Sequence, residues 1–139
     1  ALSGACRRGD ADTEFADLGW RPEKGLVDAI RLNGEPEELF AQALADFKAS
    51  AVAVEERNNT KVDQALARDL PVFNAALPVL TRRYGTEQTS LFVASFYDIL
   101  DEFATRYYWR SWSPAARSYS SMVDTLEGYR AFLRIPSSQ

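Results

Sequence analysis

A chain of 139 residues, 46% of them hydrophobic and 26% charged, has the size and composition of one globular domain, which argues against a disordered chain. Its formal charge of −4 lacks the basic excess on which nucleic-acid binding draws, and no apolar run approaches the roughly 20 residues of a membrane span, so a soluble chain is expected. The chain has no histidine, which removes serine and cysteine triads with a histidine base, histidine-ligated zinc, Glu-x-x-His di-iron sites and histidine-ligated haem.

Residues 1–21 lack a sustained period and read as an extended N-terminal arm, with Phe15, Leu18 and Trp20 scattered along it. The opening "ALSGAC" places a small residue at position 1, as a processed chain would, although serine stands where a lipid-attachment box usually has leucine. Cys6 is the single cysteine, so an internal disulfide is excluded. The tripeptide "RGD" at 8–10 reads as a chance occurrence. Asp10, Asp12 and Glu14 have the opening spacing of a calcium loop, but Phe15 stands in place of the turn glycine and Arg21 in place of the closing glutamate. No metal site and no cofactor are expected.

Residues 22–139 read as a single helical domain. Pro22, Leu26, Ala29 and Ile30 predict a short helix that ends at Asn33-Gly34. A longer one starts at Glu35-Pro36, with Glu37 and Glu38 in its first turn and Phe40, Ala43, Leu44, Phe47, Ala51 and Val54 on one face. Thr60 and Asp63 have the form of a capping box, a reading preferred to a glycosylation sequon at Asn58-Asn59-Thr60. From there Val62, Leu66, Leu70, Phe73, Leu77, Leu80 and Tyr84 keep phase across Pro71 and Pro78, which predicts a kinked helix or two abutting ones. Gly85 stops it and Thr86 caps the next. That helix carries Phe92, Phe96, Ile99, Leu100, Phe103 and Tyr107, with Leu91 at its edge; a last one opens at Ser113-Pro114 and carries Tyr119, Met122, Val123, Leu126, Tyr129 and Leu133. Four segments of about 17 to 25 residues with short connections predict an all-α fold, an antiparallel up-down four-helix bundle with a short extra N-terminal helix and the arm.

The segment "RYYWRSWSP" at 106–114 carries the functional expectation. At about 100° per residue from Phe92, Tyr107 falls on the apolar stripe, whereas Tyr108, Trp112 and Trp109 fall near 160°, 200° and 260°. Either these rings cover the arm, stacking on Phe15, Leu18 or Trp20, or Arg106, Tyr108, Trp109, Arg110 and Trp112 form a partner-binding patch with the composition of an interface hot spot. A stacking platform for nucleic acid would use similar residues, against the acidic balance of the chain. Charge is also uneven along the chain: residues 1–56 hold 12 acids and 6 bases, residues 106–139 hold 5 bases and 2 acids, a polarity that can orient one protein partner. Of the 16 basic residues 13 are arginine, which suits carboxylate pairing and is also what GC-rich coding yields. A bundle enzyme or small-ligand receptor, in the manner of chorismate mutases, would instead need Arg57, Arg68, Glu56 or Gln64 turned inward; the stripes place these on outer faces, and no catalytic residue is expected.

The stretch "SFYDILDEFATRYYWRSWSPAARSYSSMVDTLEGYRAFL" resembles the last two helices of small lumenal four-helix proteins that assist photosystem II. "FATRY" at 103–107 and Pro114 take the places of that family's helix-ending tyrosine motif and loop proline. Arg106 replaces the usual histidine, the loop glycine is absent, and residues 36–90 are long for the family. The resemblance implies a non-catalytic accessory subunit in the thylakoid lumen that binds its complex through surface patches. An exported compartment, lumen or periplasm, is accordingly preferred to the cytoplasm. A bacterial immunity or inhibitor-type helical protein is the other binding-module expectation.

Overall fold

The computed structural model describes residues 35–137; the expected arm and first short helix lie outside the described residues. The chain forms α1 (Pro36–Ala49), α2 (Ala51–Glu55), α3 (Asn59–Tyr84), α4 (Glu87–Tyr108) and α5 (Trp112–Phe132). α1 and α2 form one rod interrupted at Ser50, so the all-α, four-helix expectation holds, and among the described residues there is no strand.

Helix starts follow local capping, with two corrections. Pro36 opens α1 ahead of Glu37 and Glu38. α3 begins at Asn59 because the Asn58 side chain accepts from the Lys61 amide at 3.1 Å, two residues before the capping box expected at Thr60. The chain reverses at Arg57, so Asn58 is the first side-chain oxygen to reach the free amides. α4 starts as read, Thr86 and Thr89 satisfying each other's amides at 3.1 and 3.2 Å. α5 starts at Trp112, not at Ser113-Pro114; Pro114 sits in the first turn, where no intrahelical donor is needed.

Helix ends share one device. Arg57, Arg110 and Arg134 follow α2, α4 and α5 with φ of 56°, 58° and 59°, and Gly85 ends α3 at 58°. After α4 the Arg110 amide donates to the Tyr107 carbonyl and the Ser111 amide to the Arg106 carbonyl, both at 2.9 Å; the same pair of bonds recurs at Arg57-Asn58 and Arg134-Ile135. Glycine is the usual occupant of this left-handed position, because a Cβ is strained there.

α3 runs 26 residues without interruption through Pro71 and Pro78, where two abutting helices were an alternative. Its stripe of Val62, Leu66, Leu70, Phe73, Leu77 and Leu80 is buried throughout, and that continuous packing offsets the backbone bonds the prolines remove. Tyr84, expected on the stripe, is 38% exposed, its hydroxyl directed to Glu37.

Pairings across the core show the up-down order. Phe40 meets Tyr129 edge-on, Phe47 stacks on Tyr119, and Phe73 meets Phe96; Glu37 of α1 pairs with Arg83 at the far end of α3. α1 packs on α3 and α4 on α5, and the α1–α2 rod closes the ring against α5. At Gly128 a Cβ would lie 3.1 Å from the Phe92 ring, so glycine lets α4 and α5 approach closely there.

Candidate docking site at the turn between α4 and α5

Tyr107 anchors the turn. Its ring stacks on Phe103 at 5.5 Å, and its hydroxyl donates to Asp63 Oδ1 at 2.5 Å while lying 3.0 Å from the Asn59 carbonyl. Burial, then the hydrogen bond and charge of Asp63, push this phenol well above its usual pKa. The helix therefore reaches its last turn with one face held to α3, and the next two residues face out. Tyr108 is 63% and Trp109 72% exposed, their rings edge to face at 5.6 Å.

Arg110 then reverses the chain. Its Nη1 donates to the Tyr107 carbonyl at 2.9 Å and its guanidinium carbon lies 4.8 Å from the Tyr107 ring centre, a cation–π contact on an exposed rim. That reversal alters the expected direction of Trp112. A continued helix would have turned Trp112 away from the stripe; the new helix returns it edge-on to Tyr107 at 5.6 Å, half-buried. Arg106 is held inside the hairpin, donating to Ser118 Oγ at 2.7 Å and the Pro114 carbonyl at 3.2 Å and pairing with Glu102 at 3.1 Å. Of the five expected site residues, Tyr108 and Trp109 thus form the outward surface with Arg110 at its rim, and Arg106 and Trp112 brace it from behind.

The other polar feature was not anticipated. Asp69 is buried and accepts from Arg68 Nε and Nη2 at 2.9 and 2.8 Å; the same Nη2 reaches Ser50 Oγ at 3.0 Å, at the break between α1 and α2. Burial raises the Asp69 carboxyl above its ordinary pKa, more than the hydrogen bonds and charge of Arg68 lower it. The signal was present in the spacing Leu66, Asp69, Leu70, Phe73, one acid within an apolar stripe. Arg57, Glu56, Gln64 and Arg68, the inward set a bundle enzyme requires, are all exposed.

At the opposite end of the bundle, Glu35, Glu37, Glu38, Ala41, Ile135, Pro136 and Ser137 line a cleft of about 490 Å³. Arg83 clamps Glu37 through Nη1, at 2.8 and 2.7 Å to its two oxygens, and Arg130 holds the Ile135 carbonyl at 2.7 Å. Burial raises the Glu37 carboxyl, but the hydrogen bonds and charge of Arg83 bring it below its ordinary value overall. Among the described residues no three metal-binding side chains gather, every buried side-chain nitrogen and oxygen has a hydrogen-bond partner, and no helix is long and apolar enough to cross a membrane.

Comparison with protein families, with curated proteins and with solved structures gives no match for this chain.

Proposed function

We propose that the chain is a non-enzymatic helical-bundle binding protein, a docking subunit that engages another protein through Tyr108 and Trp109. One observation carries this reading: two adjacent rings are held facing solvent on a turn whose inner side is locked by Tyr107. Burying one such ring against a partner removes about 150–250 Å² from water, and a tryptophan, with only two side-chain torsions, loses little entropy on binding. Arg110 at the rim supplies a charge-assisted donor for a partner carboxylate. The polar groups within the bundle are committed to one another, as in Asp69 with Arg68 and Tyr119 with the Phe47 carbonyl, which supports binding over acid–base chemistry.

The test uses a chain in which Trp109 is the one tryptophan left, through Trp20→Phe and Trp112→Phe. Docking requires emission close to that of free tryptophan, quenched by acrylamide and shifted to the blue by a partner. A blue, unquenchable signal in the isolated chain would assign the ring to the arm instead. Retention of every wild-type interaction by Tyr108→Ala/Trp109→Ala, with an unchanged circular dichroism spectrum, would refute the site.

A further inference from the structure

Resting on that docking surface, we propose that its occupant is a second copy of this chain: the Trp109 turn of one copy enters the cleft between the start of α1 and residues 135–137 of the next, so that copies associate head to tail. The two features lie at opposite ends of the bundle, since α5 starts three residues after Trp109 and ends three residues before Ile135. Its 21 residues separate them by about 32 Å at the helical rise. One copy therefore cannot fill its own cleft with its own turn.

Size and chemistry match. A cleft of about 490 Å³ lies in the range of sites that enclose small aromatic ligands, with room for an indole and an adjoining guanidinium. Ala41, Ile135 and Pro136 give it apolar walls, and its charged lining is wholly carboxylate. Glu37 is held by Arg83, whereas the side chains of Glu35 and Glu38 are exposed and their carboxylates make no hydrogen bond or ion pair among the described residues. The cation next to Trp109 is Arg110, exposed at the rim. A two-fold contact of turn on turn would set Arg110 against Arg110, and cleft on cleft would set glutamates against glutamates. Turn into cleft is the pairing that joins opposite charges. Such a heterologous contact does not close on itself at two copies. One ring in one cleft falls below the area of a standard stable interface, so the association is weak and depends on concentration and salt.

Sedimentation velocity on the full chain, loaded from about 10 µM to 1 mM to span weak affinities, tests this with two variants whose changes are all at exposed positions. The turn variant is Trp109→Ala/Arg110→Gly; the cleft variant is Glu35→Lys/Glu38→Lys. The wild-type sedimentation coefficient should rise with concentration past that of a dimer and fall back in raised salt. Each variant alone should remain a monomer over the same range, its association weakened about 30-fold or more as expected for loss of a hot-spot side chain. An equimolar mixture should form one-to-one dimers and stop there, because one intact turn and one intact cleft remain. A wild type that stays monomeric, a single variant that still associates, or a mixture that stays monomeric would each overturn the proposal. A monomeric wild type whose capture of a different protein still depends on Trp109 would refute the second copy and leave the docking reading standing; no dependence on Trp109 in either assay would refute both.

Discussion

Replacing Tyr119 with phenylalanine deletes one oxygen from the middle of the bundle and is expected to cost more than its size suggests. Tyr119 is 1% exposed, stacks on Phe47 at 4.3 Å, and donates its hydroxyl proton to the Phe47 carbonyl at 2.6 Å. That carbonyl lies in the last turn of α1, just ahead of the break at Ser50. In Tyr119→Phe the ring and its stacking remain, and the carbonyl loses its strongest donor. A buried acceptor left unpaired costs about 1–3 kcal/mol. The Ser50 amide still approaches the same oxygen at 3.2 Å, which places the expected loss at the lower part of that range, about 1–1.5 kcal/mol. For a domain of this size that corresponds to a fall in Tm of about 3–6 °C. Tyr129→Phe is the control: its hydroxyl shares a 3.2 Å hydrogen bond with Thr81 Oγ1, and Thr81 is only half-buried, so water can replace the lost partner at a cost of about 0.5 kcal/mol. Urea unfolding followed by circular dichroism and by fluorescence, with m unchanged, measures both. A Tyr119→Phe loss below about 0.3 kcal/mol, or a larger loss at Tyr129 than at Tyr119, would refute the assignment of that carbonyl to Tyr119.

Three further outcomes are expected. Arg57→Gly should stabilise the fold by about 0.5–1 kcal/mol in the same denaturation assay by relieving a positive φ, and Arg110→Gly by less, because it also forfeits the bond to the Tyr107 carbonyl and the cation–π contact. Gly85→Ala should cost about 1 kcal/mol from its φ of 58° alone, since the added Cβ would stand 3.6 Å from the Arg82 carbonyl, an ordinary contact. In acid, two trends oppose each other. The Glu127 carboxyl, lowered chiefly by its bond to Arg130, and the Glu37 carboxyl, lowered overall by Arg83, contribute stability present above pH 4.5 and lost as pH falls through their folded values. Asp69 acts in reverse: its raised pKa means the folded chain binds a proton before the unfolded one, so its contribution declines as pH rises from 3.8 through the folded value. The stability difference between wild type and Asp69→Asn should therefore shift against wild type across that window; a flat or rising difference would show that Arg68 fully compensates the buried charge.

Much of the fold was legible because the long helices carry apolar stripes and α1 and α4 start at signals written in their own sequence. Pro36 acts through its own fixed φ, and Thr86 and Gly85 through bonds to residues at most four positions away, so spacing alone located them. The breaks were less legible. Ser50 interrupts a stripe that stays in phase from Phe40 to Val54, and what holds the break is Arg68, 18 positions away. Of the rings at 108–112, the wheel turned Tyr108 and Trp109 away from the apolar stripe, where they are exposed, but it misdirected Trp112, because no wheel extends through a residue at φ 58°.

Periodicity by itself determined that the described residues build a fold of helices and which residues form the stripes, and composition, through the missing histidine, determined which chemistries the chain's side chains cannot perform. These are properties of residue type and of separations within one or two turns, and they hold before any helix meets another. The tertiary structure alone decided that Arg106 braces the hairpin while Trp109 stands in solvent, that Asp69 is buried against Arg68, and that Glu35 and Ile135, 100 positions apart, line one cleft. Each of those outcomes depends on which face of one rod lies against another, a relation that exists only once the rods are packed.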